Sequence, residues 1–185
     1  IKNTDLVVAI DDNSVVNVSR LFNEPAGREY LLRKGVPEAT VSQLDLLGFS
    51  GIANMLSAMK FAKYYELGEN DVVMTVLTDS LELYGTRLEE YREAFGEFTA
   101  FDAAEAFAAD LHGETTDALE ELSYEDRKRI HNLKYYTWVE QQGKSYEEIQ
   151  AQWYDPDYWT NIQSQACAID ELINEFNARV GLLKN

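Results

Sequence analysis

Two short apolar runs constrain this chain more than anything else in it. Leu6-Val7-Val8-Ala9-Ile10 and Val72-Val73-Met74-Thr75-Val76-Leu77 are continuous and rich in β-branched residues, without polar alternation. Strands buried on both faces have this pattern, as in a parallel sheet covered by helices. The rest of the chain carries helical spacing. The expected class is therefore α/β: two strands of a parallel sheet with many helices and a helical C-terminal region. Two strands do not complete such a sheet, and their edges call for neighbours. Those neighbours are expected from another chain or from a further part of this one.

Helix signals punctuate the sequence. Asp11, Asp12 and Asn13 are N-cap candidates for a helix through Val16 and Leu21 towards Asn23. Pro25 suits the first turn of a second helix, with Gly35 at its end, and 37–47 reads as a third. Ser50 is the expected N-cap of the next, whose Ile52, Met55, Leu56 and Met59 share a face; Gly68 is expected to end it. Ala104, Phe107, Ala108 and Leu111 make a later stripe. Ser123 with Asp126 imitates a capping box, and Ser145 with Glu148 has the full signature. A last helix carries Ile162, Ala166, Ile169, Ile173, Phe176 and Val180 on one side, with Gly181 near its end. Strand signals stop around Gly85–Thr99, so residues 1–85 are expected as an α/β portion and 86–185 as a mainly helical extension.

Composition excludes several roles. The net charge of −17 disfavours nucleic acid and anionic membrane surfaces, which call for basic patches. It also argues against Tyr135, Tyr136 and Trp138 as a base-stacking platform; packing or a subunit contact suits them better. No apolar stretch approaches the roughly 20 residues of a membrane span. A single cysteine, Cys167, allows no internal disulfide, fits a cytoplasmic setting and reads as a small buried hydrophobe. His112 and His131 lack metal-ligand spacing, so no metal site is expected. Glu120 and Glu121 are adjacent and would point apart on a helix, which disqualifies them as an acid/base pair. The sequence opens at Ile1 on a strand-like run, as a processed product, a cut fragment or part of a longer chain would.

The order of motifs adds a resemblance. The segments 7–12, Leu47-Gly48-Phe49-Ser50-Gly51-Ile52-Ala53-Asn54 and 72–80 resemble the final third of the fold type II pyridoxal-phosphate enzymes, in their cysteine synthase-like subgroup. The runs 21–30 and 131–143 are similar to that subgroup as well, so the likeness touches nearly the whole chain. It departs from the pattern at Phe49, where relatives carry a second serine, at Leu81, where they carry glycine, and in an insertion around 24–45.

The resemblance implies a two-domain lyase or synthase. It would eliminate or replace a β-substituent on a small amino acid, using pyridoxal 5′-phosphate, and would commonly be a homodimer. The Schiff-base lysine and the glycine-rich phosphate loop of such enzymes lie upstream of this region. No catalytic residue is therefore expected here, and the chain would depend on the remainder of the enzyme. Carried over by position, Ser80 and Thr78 would bind the cofactor, Ser80 at the pyridine nitrogen. A neutral hydroxyl there limits the electron sink; a carboxylate, such as neighbouring Asp79 would supply, does the opposite. Ser50 and Gly51 would border the substrate, the helix N-terminus favouring its carboxylate. The simpler readings are a helix cap for Ser80, an N-cap for Ser50 and a turn residue for Asp79. The rival for the whole chain is a non-catalytic, acidic helical interaction module. The environment of Ser80 separates the two.

Overall fold

The computed structural model describes residues 2–182. The chain is mostly helical with a small two-stranded sheet. It divides into two compact units, one of residues 6–121 and one of residues 2–5 with 122–182.

The first unit opens with β1 (Leu6–Val8) and α1 (Asp12–Asn23). Asp11 caps α1, its carboxylate accepting the Asn13 N–H at 2.7 Å. α2 (Pro25–Arg33) starts on its proline and ends before Gly35, which takes φ +89°. The α1–α2 corner is tight: a Cβ on Gly27 would stand 2.2 Å from the Leu21 carbonyl oxygen. The expected helix over 37–47 is broken into α3 (Glu38–Val41) and a 3₁₀ turn (Leu44–Leu46). α4 (Phe49–Tyr64) follows. It ends at Tyr64, ahead of the expected Gly68, because Glu66 takes the left-handed conformation at φ +51°. A 3₁₀ turn (Leu81–Tyr84), α5 (Gly85–Phe95) and α6 (Ala100–Ala106) complete the helices. A π-helical turn (Phe107–His112) leads to β2 (Leu119–Glu121).

One core holds this unit. Val18, Leu21, Ile52, Leu56 and Ala103 are completely buried, with Phe22, Leu31, Val41 and Ala106 around them. Met55 and Met59 of α4 pack on it, so the predicted apolar face of that helix is the one buried. On α6 the buried positions are Ala103 and Ala106; Phe107 and Leu111 of the predicted stripe pack against the core from the wider π turn.

The strands differ from expectation in an informative way. β1 forms within the expected run, but it pairs antiparallel with β2, Val7 opposite Glu120. Val72–Leu77 forms no strand. It is irregular, with Val72 and Met74 85% and 91% exposed. A strand needs a ladder partner, and no described segment supplies one to these residues.

In the second unit, α7 (Tyr124–Asn132) begins on Ser123 with a reciprocal capping box to Asp126. A π-helical turn (Tyr135–Gln141) and α8 (Tyr146–Tyr154) follow. Ser145 accepts the Glu148 N–H at 3.2 Å, but the return bond is absent, and the Glu148 carboxylate accepts the Tyr158 hydroxyl instead. The expected last helix is two, α9 (Tyr158–Gln163) and α10 (Ala166–Arg179). Ile169, Ile173 and Phe176 stand exposed, and so does Cys167, contrary to its expected burial. α10 buries none of its residues, so nothing covers that cysteine. Among the described residues no helix is long and apolar enough to cross a membrane.

Candidate functional site

The first unit brings the two predicted site segments side by side. The Gly48 N–H donates to the Asp79 carbonyl at 2.9 Å, and Asn54 Nδ2 donates to the Val76 carbonyl at 2.8 Å. These bonds lay residues 76–80 along the first turns of α4. Only glycine fits at the join: a Cβ on Gly48 would stand 2.4 Å from Asp79 Oδ1 and 3.0 Å from its backbone oxygen. Gly51 is looser, since a Cβ there would meet Leu77 at an ordinary 3.7 Å.

Gly48, not Ser50, is the N-cap of α4. Its carbonyl accepts the Ile52 N–H at 3.0 Å, while its own N–H is held by Asp79, so the helix starts two residues earlier than the serine signal suggests. Ser50 then lies in the first turn, exposed, and Gly51 is buried behind it. The cap has no side chain, and the first turn has no acidic residue. The N–H groups of Phe49, Ser50 and Gly51 have no acceptor among the described residues. A helix end in that condition favours an anionic group.

Across the join, Thr78 is exposed and its hydroxyl donates to Asp79 at 3.1 Å. Asp79 also accepts the Tyr84 hydroxyl, and this bond to a carboxylate raises the Tyr84 pKa. Asp79 is therefore a turn residue with both oxygens engaged. Ser80 is half-buried, with extended backbone at the head of the 3₁₀ turn. Its hydroxyl caps nothing and makes no hydrogen bond with any described residue. Sequence reasoning did not single out Gly48, Asn54 or Tyr84. For Asn54 a signal existed, since it stands four residues after Ser50 and so on the same helix face.

The lysine best buried in this unit is not a free amine. Lys60 on α4 is 5% exposed and ion-paired to Asp117 at 2.9 Å and Glu114 at 3.2 Å. Burial opposes its charge, but the hydrogen bonds to Asp117 and Glu114 outweigh that and raise its pKa. It stays protonated at neutral pH. Among the described residues no group of three or more His, Cys, Asp or Glu side chains could hold a metal ion.

Beside the site, a groove of about 450 Å³ runs between Val8 of β1, Asn54, Ala58 and Phe61 of α4, and the irregular Val72–Thr75 segment. The chain matches no family model, no curated protein sequence and no solved structure.

Proposed function

We propose that this chain is the C-terminal part of a fold type II pyridoxal-phosphate-dependent lyase or synthase. Its substrate would be a small amino acid with a leaving group at the β-carbon. The observation that carries the reading is the Ser80 hydroxyl. It is half-buried, unengaged and set beside a helix N-terminus with open N–H groups. A serine serving only as a cap would have its hydroxyl on a backbone N–H. The exposed, apolar Val72–Leu77 run supports the reading too, because a sheet continued by the remainder of the enzyme would cover it.

The residues present fit one side of the cofactor. Ser80 would meet the pyridine nitrogen, with Thr78 beside it. When bound, the cofactor supplies an electron sink for the carbanion at the substrate α-carbon. The neutral Ser80 hydroxyl would leave the ring nitrogen uncharged and so moderate that sink. The open N–H groups of Phe49, Ser50 and Gly51 would orient the substrate carboxylate. Asp79, engaged by Thr78 and Tyr84, would hold the loop and take no proton. The lysine and the phosphate loop would come from the remainder of the enzyme, as would the second copy in a homodimer.

The test is substitution at Ser80 in the cofactor-bound protein. Ser80→Asp is expected to shift the cofactor absorption towards the form protonated on the ring nitrogen and to slow β-elimination. Ser80→Ala is expected to keep the spectrum while weakening cofactor retention. Identical spectra and rates for the parent, Ser80→Asp and Ser80→Ala would refute the assignment.

A further inference from the structure

The second unit contains a basic pocket that the proposed chemistry leaves unused. It is a cavity of about 200 Å³ lined by Lys2, His131, Lys134, Gln152 and Trp159, among others. The chain carries 33 acidic residues against 16 basic ones, yet no carboxylate lines this pocket. Lys2 Nζ donates to the Trp153 carbonyl and Lys134 Nζ to Gln152 Oε1, both at 2.8 Å. Both acceptors are neutral. Lys128 stands near, its ammonium 4.8 Å from the Trp153 ring centroid and 4.3 Å from that of Tyr154.

Gln152 turns this cluster into a built site. It is 2% exposed. Lys134, a donor only, fixes its carbonyl oxygen, and this leaves Nε2 with no hydrogen-bond partner. The Tyr158 phenol gives its proton to Glu148, and its oxygen lies close enough to feel the Gln152 amide, but Nε2 makes no hydrogen bond to it in bonding geometry. A buried N–H donor without a protein acceptor is rare in a folded protein, and a bound water, ion or ligand group is what meets it. His131 is buried beside it, with Nε2 against the Ile149 carbonyl at 2.9 Å, so that nitrogen carries the proton. Burial lowers the Lys134 pKa, as it does for an ammonium without a counter-charge.

We infer that this pocket binds a small oxyanion, a phosphate or carboxylate group, between the Lys134 and Lys2 ammonium groups, with Gln152 Nε2 as its buried donor and Trp159 as one wall. Oxyanions accept from all three donors, and charge-assisted bonds of this kind are the strong ones. The cavity suits a group of a few heavy atoms. This inference stands apart from the reading of the Ser80 site, since no residue is shared.

The experiment is a titration of the purified chain with inorganic phosphate, and separately with acetate, at constant ionic strength. It is followed by tryptophan fluorescence and by NMR of the lysine Nζ-attached carbons. Saturable change at millimolar anion is expected, with the Lys134 titration moving to higher pH. Lys134→Met and Gln152→Leu are expected to weaken binding at least about tenfold; Lys144→Met, on the exposed surface, should leave it unchanged. Phosphate saturating alone assigns a phosphate ligand, and acetate saturating alone a carboxylate. The inference is overturned if neither anion saturates, or if Lys134→Met binds as the parent does. The NMR shift is read on the unaltered chain, so a variant that fails to fold does not block the test.

Discussion

Replacing Gly48 with alanine tests the join on which the site depends. Gly48 has φ −75° and ψ 179°, extended backbone that alanine adopts freely, so the whole penalty is steric. The new Cβ would sit 2.4 Å from Asp79 Oδ1 and 3.0 Å from the Asp79 backbone oxygen. Relieving such overpacking costs about 1–3 kcal/mol. Parting the two segments also loses the 2.9 Å Gly48–Asp79 hydrogen bond, worth about 1 kcal/mol. The narrower conformational freedom of alanine in the unfolded chain returns about 0.4–1 kcal/mol. The net expectation is a destabilisation of about 1–3.5 kcal/mol, or a Tm lowered by about 2–14 °C for a chain of this size. Thermal and urea unfolding followed by circular dichroism measure it, and amide exchange at residue 48 localises it. Gly85→Ala is the control. No atom lies within 4 Å of a Cβ there and the residue begins α5 with φ −54°, so about 0.5–1 kcal/mol of stabilisation is expected. Adding Asp79→Ser to Gly48→Ala removes the nearest clash but not the backbone one, so it should recover part of the loss. A Gly48→Ala protein as stable as the parent, with residue 48 equally protected, would refute the geometry of the join.

Other substitutions probe separate parts of the account. Lys60→Met leaves the nearly buried Glu114 without its cation, and a loss of about 2–4 kcal/mol is expected by urea unfolding. Burial lowers the His131 pKa below 6.5, with Lys134 and Lys128 adding to the effect against the Ile149 bond. The unfolded chain therefore takes up this proton first. Stability is full above about pH 6.5 and falls as the pH drops below it, a slope that His131→Gln should flatten in Tm-against-pH curves. Hydrogen bonds from Thr99 and Ser123 lower the Asp102 and Asp126 pKa values below 3.8. A second loss is thus expected below about pH 3.8, reduced in a Thr99→Ala, Ser123→Ala double variant. Met74→Lys should leave the unfolding free energy of this chain within about 0.5 kcal/mol of the parent, since Met74 is 91% exposed. In the longer enzyme proposed above, the same change is expected to destabilise the sheet proposed to cover this run.

Local signals in the sequence were legible because their physics is local. Asp11 before α1, Pro25 opening α2, and the Ser123–Asp126 box each act within a few residues, and each is found in place. The apolar face of α4 was legible for the same reason. What the sequence obscured depends on distant partners. Leu119-Glu120-Glu121 carries no strand pattern; it becomes β2 only because β1 offers a ladder. Val72–Leu77 carries a strong strand pattern yet has no ladder to join. At the site, the Ser50 signal lay two residues past the true cap. The true cap, Gly48, is chosen by its close approach to Asp79, which spacing within α4 does not encode. Ser80 and Ser50 were placed by resemblance, and their proximity follows from the Gly48 and Asn54 hydrogen bonds.

The most direct test of the central claim is where the cofactor is held. Protein from its native source would be reduced with borohydride, which fixes pyridoxal phosphate covalently to its lysine, then digested and mapped by mass spectrometry. The account predicts a yellow protein whose labelled lysine lies on a peptide outside this 185-residue sequence. Label on Lys60, or on any other lysine of this sequence, would contradict it. So would a colourless folded protein that takes no label at all.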